Sequence, residues 1–203
     1  NMKIHTCYAS DGKCNEFETK KVFEKGNVGF VNLAAHGSGS EVRVEPGFLN
    51  AADLYNVGKS NNQPILFSYS CMNGAFDTRL SGATFETDTA FHYPTSFGEA
   101  MIFSPSGSIA YIGGSRINFA GFSITYDSDG LAKYSNPMQM DAMCTNFFES
   151  YSSSIYLGEM CSSSMFKYSR NNWSHDSSLF SFSRFTLLGD PVLVLPHEKS
   201  VTE

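Results

Sequence analysis

The chain has 203 residues, 41% apolar, 14% aromatic and 17% charged, with a formal net charge of −6. That length predicts one domain with enough chain for a sizeable core; 18 Phe and 10 Tyr exclude disorder, and 14 Lys+Arg against 20 Asp+Glu leave no nucleic-acid footprint. No run approaches the ~20 apolar residues of a membrane span, and a charged fraction below the usual ~25% suits an extracytoplasmic protein.

Residues 2–8 read as a short strand, and residues 9–15, with Asp11-Gly12, as a turn that brings Cys7 and Cys14 together. Residues 16–25 have the spacing of a short amphipathic helix stopped by Gly26-Asn27. Residues 28–35 are a near-continuous apolar run, the pattern of a strand buried on both faces of a parallel sheet, and lead straight into His36-Gly37-Ser38. After a loop with Pro46-Gly47, residues 48–57 read as a helix, with Asn50 as cap and Gly58 as stop. Residues 64–70 are a second buried strand, which delivers Cys71-Met72-Asn73-Gly74. Residues 96–103 as helix and 107–112 as strand repeat the pattern, closed by Gly113-Gly114-Ser115-Arg116. Residues 118–136, polar and aromatic with Gly and Ser, read as a long loop over one face. Helical periodicity returns from residue 137 to 146 and from 155 to 170, and residues 185–195 hold a Gly189-Asp190-Pro191 turn with a short apolar strand. Strands alternating with helices at this spacing predict an open α/β sheet.

Ligands of such a sheet bind beyond the carboxyl ends of its strands. His36 and Cys71 stand at the ends of two successive strands, the places that parallel neighbours bring side by side. A lone cysteine there packs as a small hydrophobe; paired with a histidine, it has the makings of a nucleophile with its general base. A thiol of pKa ~8.5 is mostly protonated at neutral pH, and an imidazole takes its proton or stabilises the thiolate. Attack on an amide carbonyl creates an oxyanion, for which the N–H groups of Gly37 and Cys71 are the candidate donors, and a glycine there lets backbone approach the substrate closely.

The five cysteines are odd in number, with no C-x-x-C pair of a zinc ribbon or redox motif. Cys7 and Cys14 are either a local disulfide or two free thiols, and Cys144 and Cys161 read as packed helix side chains. His5, His92, His175 and His197 lack metal-ligand spacing. Asp127-x-Asp129-Gly130 lacks the remaining ligands of a calcium loop and reads as a turn. No metal site is expected, no cofactor is required, and structural calcium is not indicated.

The runs Ala35-His36-Gly37-Ser38-Gly39-Ser40-Glu41 and Ser70-Cys71-Met72-Asn73-Gly74-Ala75-Phe76 resemble the two catalytic segments of the gingipain-like cysteine peptidases, family C25 of the caspase-fold clan. In that family one apolar strand ends in His-Gly-Ser and a later one in Cys-x-Asn-Gly. Residues 3–8, 96–100, 107–118 and 188–191 agree in order, so the resemblance spans most of the chain. It implies a caspase-like three-layer α/β sandwich, a mostly parallel sheet flanked by helices. It also implies Cys71 as nucleophile, His36 as general base and acid, and Gly37 with Cys71 as the oxyanion hole. Ser115, Arg116, Asn118 and Gly121 then fall in a wall of the primary specificity pocket. Gly121 stands where arginine-specific members place a tryptophan, a departure from arginine specificity. Glu99, on the helix after the cysteine, reads as structural. Two upstream carboxylates of the family have no counterpart, and Asp77, Asp127 and Asp129 read as solvated loop acids.

The caspase-like sheet has the order 2-1-3-4-5-6, which makes residues 2–8 strand 2 and residues 28–34 strand 3, with strand 1 lacking. A missing interior strand leaves two rows of backbone groups unpaired. The expectation is that residues 1–196 are the carboxy-terminal part of a catalytic domain, completed by an amino-terminal fragment of the same precursor, with residues 197–203 a tail or the start of a linker. The implied function is a secreted or cell-surface cysteine endopeptidase acting on proteins or peptides, without nucleic acid or membrane span. The alternatives are a catalytically silent relative serving as a binding or adhesion module, and a transpeptidase using the same thioester.

Overall fold

The computed structural model describes residues 4–54, 60, 62–76, 95–118, 120–172 and 183–197. Residues 4–8 carry no strand, and Ile4 and Tyr8 are exposed. The strand expected at residues 2–8 has no described neighbour on which to build a ladder. A 3-10 turn, Ala9–Asp11, precedes α1 (Glu16–Lys25), whose bounds are those the sequence predicts. Asn15 caps α1 by accepting from the Glu18 N–H at 2.9 Å, and Gly26 ends it in the left-handed region at φ 55°. Cys7 and Cys14, on either side of the turn, are both free thiols.

Strand β1 (Phe30–Ala34) leads to a hairpin of β2 (Glu41–Val44) and β3 (Gly47–Asn50), then α2 (Ala51–Leu54). Of the helix expected over 48–57, residues 48–50 belong instead to strand β3, residues 51–54 are helical as α2, and residues 55–57 with the stop at Gly58 lie outside the described residues. Val42, Val44 and Leu49 enter the core at a spacing of two, and the turn at Pro46-Gly47 folds one strand back on the other. Strand β4 (Ile65–Tyr69), helix α3 (Phe97–Phe103) and strand β5 (Ala110–Gly114) follow as predicted to within a few residues. The stretch expected as a loop, 118–136, is a second hairpin, β6 (Ala120–Tyr126) and β7 (Ala132–Met138). Phe122, Ile124 and Tyr126 carry its period-two signal. The turn reading of Asp127-x-Asp129-Gly130 holds: Asp127 Oδ1 accepts from the N–H of Asp129 at 3.1 Å and of Leu131 at 2.9 Å. Helices α4 (Gln139–Glu149) and α5 (Leu157–Asn172) and strand β8 (Phe185–Gly189) are the last elements among the described residues.

The central sheet has the order β1-β4-β5-β8, the first three parallel and β8 antiparallel. One face carries α1, α2, α3 and the β2–β3 hairpin over Phe23, Leu33, Leu66, Phe97, Met101 and Tyr111. The other carries α4 and α5 over Phe67, Ile112, Met143, Phe147, Leu157 and Met160. The result is a three-layer sandwich in which both parallel crossovers run over the first face. β4 and β5 are buried on both sides, as apolar runs in a parallel sheet demand. β1 is not: it pairs with β4 alone among the described residues, and Asn32 and Ala34 are exposed. The apolar run at 28–35 therefore marks a sheet edge, where only Leu33 is fully packed.

Phe67 is the centre of the second core, with ring centroids 5.0 Å from Phe147, 5.5 Å from Phe185 and 6.0 Å from Phe148. Phe67→Ala should lower the free energy of unfolding by about 3–5 kcal/mol, read from urea denaturation. A change below about 1 kcal/mol would mean that this aromatic cluster does not carry the α4–α5 layer.

Candidate active site

Ala34 of β1 is the register partner of Tyr69 in β4. His36 and Cys71 each stand two residues beyond that pair, and the Ala35 N–H to Tyr69 carbonyl bond (3.2 Å) carries the ladder past the strand ends. Phe30 of β1 and Ile65, Phe67 and Tyr69 of β4 face the α4–α5 layer. The register therefore sets the backbone of His36 beside that of Cys71 at the carboxyl ends of two neighbouring strands. His36 is exposed and Cys71 half-buried, so the imidazole lies open to solvent and the thiol is reachable.

The thiol is seated by the loop after β5. The Asn118 N–H lies 3.4 Å from Cys71 Sγ as donor, and the Asn118 carbonyl lies 3.5 Å from it as acceptor. Asn118 Nδ2 donates to the Ser70 carbonyl at 3.1 Å, and it fits only because Gly114 has no side chain: a Cβ there would lie 1.5 Å from Nδ2. Met72 N–H donates to the Arg116 carbonyl at 2.9 Å, and Met72 itself sits at φ 58°. A non-glycine residue in the left-handed region costs about 1–2 kcal/mol, so the turn that presents Cys71 stores strain held by the loop beneath it.

Gly37 forms a bridge with Val42 in which its neighbours carry the hydrogen bonds, Ser38 N–H to the Glu41 carbonyl and Arg43 N–H to the His36 carbonyl. In such a pair the central N–H points away from the partner strand. Among the described residues, neither the Gly37 N–H nor the Cys71 N–H donates a hydrogen bond. Both expected oxyanion donors are therefore unspent. A Cβ on Gly37 would lie 2.8 and 2.9 Å from the side-chain amide of Asn73 and 2.9 Å from Ser70 Cβ, so the glycine is dictated by close approach of the two loops.

Of the expected pocket residues, Ser115, Arg116 and Asn118 lie in the loop on the side of Cys71 away from β1, while Gly121 lies in β6, paired with Met138. Arg184, just before β8, donates to the Ile117 carbonyl at 3.0 Å and accepts from Ser115 N–H through its own carbonyl. Burial and the neighbouring Arg116 lower its pKa. Arg184 was not flagged by the sequence, because only the fold carries β8 back to this edge. Glu99 is the N3 residue of a capping box on α3: Ser96 N–H donates to its carboxylate at 2.8 Å, and its N–H donates to Ser96 Oγ at 3.2 Å. Its structural reading follows from that box. Asp77, His92 and His175 lie outside the described residues.

Burial pushes the thiol of Cys144 up to about 11, with an Asn32 hydrogen bond opposing and Asp141 adding, and that of Cys161 up to about 12. Both are protonated, unreactive packing groups at neutral pH. Burial and then Asp141 raise the Tyr69 phenol as well. Among the described residues no three His, Cys, Asp or Glu side chains converge as metal ligands do, and no helix is long and apolar enough to cross a membrane.

Comparison with known proteins adds three observations. Residues 2–196 match the profile described as Peptidase family C25. No match was found among curated proteins. Among solved structures, the Arg-specific cysteine proteinase gingipain R (RGPB) is similar with a TM-score of 0.62 and 19% identity, over 90% of this chain and 36% of that one. A complex of Porphyromonas gingivalis RgpB pro- and mature domains gives 0.64 and 16%, over 90% and 37%, and a structure described as a protease gives 0.54 and 17%, over 86% and 37%. The chain thus spans little more than a third of the length of these structures, and the likeness is one of fold, the caspase-like sandwich described above. With the family match covering nearly its whole length, the chain belongs to peptidase family C25, a family of cysteine peptidases.

Proposed function

We propose that the protein is a cysteine endopeptidase in which Cys71 is the nucleophile and His36 the general base and acid. The observation that carries this reading is the register of β1 on β4, which sets both residues the same two positions past paired residues. His36 takes the Cys71 proton, and the thiolate attacks the scissile carbonyl. The Gly37 and Cys71 N–H groups receive the oxyanion. The imidazolium gives its proton to the departing amine, leaving a thioester on Sγ. A water, deprotonated by His36, then attacks the thioester carbonyl, and collapse releases the acid and returns the proton to the thiolate–imidazole pair. No step calls on a metal or cofactor.

Ser115, Arg116, Asn118 and Gly121 are the proposed wall of the pocket for the residue before the cut. The open edge of β1 is the proposed seat for a strand from an amino-terminal fragment of the same precursor, since a parallel strand left unpaired at a sheet edge exposes a row of N–H and C=O groups. We place the protein at the cell surface or outside the cell, in keeping with its low charge.

A broad peptidyl reagent bearing a thiol-alkylating group tests the assignment. Mass spectrometry of the digested protein should find the adduct on Cys71, and neither Cys144 nor Cys161 should react at neutral pH. A protein that takes up no label at Cys71 and hydrolyses no peptide would instead be the silent binding module.

A further inference from the structure

We propose that Asn73 is the positioning residue of this site, its side-chain amide holding the histidine loop in place against the cysteine loop. The inference rests on the reading of Cys71 and His36 as nucleophile and base. Asn73 lies two residues past the thiol and is wholly buried. Its Oδ1 accepts from Ser68 Oγ at 3.2 Å, and Ser68 Oγ lies 2.6 Å from Ser70 Oγ. Its Nδ2 donates to two carbonyls of the other loop, those of Ser38 and, at 3.0 Å, of Glu41. The orientation of the amide is fixed by its neighbours, since two carbonyls can face only its nitrogen and the hydroxyl serves its oxygen.

Ser38 and Glu41 close the turn that begins at His36, and the same turn presents the Gly37 N–H. One side chain of the cysteine loop therefore reaches across the site and fixes both the base and one oxyanion donor. Two glycines pack that side chain and its backbone. A Cβ on Gly37 would meet the amide at 2.8 Å, and a Cβ on Gly98 would lie 3.0 Å from the Asn73 carbonyl, which accepts the Gly98 N–H at 2.7 Å. The amide has no room to turn and no spare hydrogen-bond capacity on Nδ2. An aspartate in its place would set a carboxylate oxygen against two carbonyls, pushing the histidine loop away. Displacement of a catalytic group by ~1 Å is enough to cost about 10²-fold in rate.

The test uses the full-length protein, with Asn73→Asp, Asn73→Ser and Gly37→Ala variants checked for folding by circular dichroism and thermal melting. Gly37→Ala presses on the same amide from the histidine loop, and so serves if the buried Asn73 variants do not fold. Two readouts are taken: kcat and KM on a peptide substrate, and the pH dependence of iodoacetamide alkylation at Cys71, followed by mass spectrometry. Folded variants should lose about 10²–10³-fold in kcat with KM little changed. Their alkylation at Cys71 should slow at neutral pH and lose the parent's pH profile, because the imidazole no longer stands where it takes the thiol proton. A folded variant with the parent's kcat, or one whose alkylation profile matches the parent's despite a lower kcat, overturns the positioning role. Should alkylation at Cys71 in the otherwise unsubstituted protein be unchanged by His36→Ala, the nucleophile and base reading fails first, and this proposal with it.

Discussion

Cys71→Ala should abolish peptide hydrolysis, a loss of at least about 10⁴-fold in kcat, with the fold intact. The size follows from chemistry: without the sulfur there is no thioester, and what remains is the catalysis that the oxyanion donors and substrate binding give to water, which in nucleophilic hydrolases is many orders slower. The fold should survive because Cys71 is half-buried and, among the described residues, the hydrogen-bond partners of its Sγ are backbone groups of Asn118. Removal of a partly exposed sulfur that neither fills a core nor bridges elements changes stability by no more than about 1 kcal/mol. The strained turn at Met72 is held by backbone bonds to Arg116 and Gly114 and does not need the thiol. The measurement is turnover of a mixed peptide library by purified parent and variant protein, with matched thermal midpoints. Activity retained by Cys71→Ala would sink the mechanism.

The parts of this site that could be read from the sequence are those written in local pattern. Two apolar runs ending in His36-Gly37 and Cys71 announce strands and the chemistry at their ends together, because an apolar run and the polar residues that stop it are both one-dimensional signals. The α1 helix was legible to the residue, since Asn15, Glu18 and Gly26 are capping chemistry. The two hairpins were not. In β2–β3 the strands are four residues long, too short for period two to stand out, and in β6–β7 the Gly and Ser content reads as loop. The edge position of β1 was equally hidden, because an apolar run says that a strand is packed and not which neighbours it has. Asn73 shows the same limit at the scale of one residue. Its place in Cys-x-Asn-Gly is visible in the sequence, yet its bonds to Ser38 and Glu41 join positions more than 30 apart, and only the fold creates them.

His36→Ala should lower kcat at pH 7 by about 10³–10⁴-fold and change the shape of the pH profile as well as its height. His36 is exposed and, among the described residues, its side chain makes no hydrogen bond or ion pair, so the variant should melt with the parent. With the imidazole gone, the thiol must ionise unaided. Residual activity should therefore rise with pH, as hydroxide takes over the proton removal that the imidazole performs. The parent should instead show a bell-shaped profile, because its reaction needs a base for the thiol and an acid for the leaving amine. The two substitutions act on one step, so Cys71→Ala combined with His36→Ala should be no less active than Cys71→Ala alone. Additive losses would mean that the two side chains work in separate steps. A His36→Ala protein with the parent's rate and profile at pH 7 would show that the thiol draws its base from elsewhere, and the register that pairs β1 with β4 would then have no catalytic meaning.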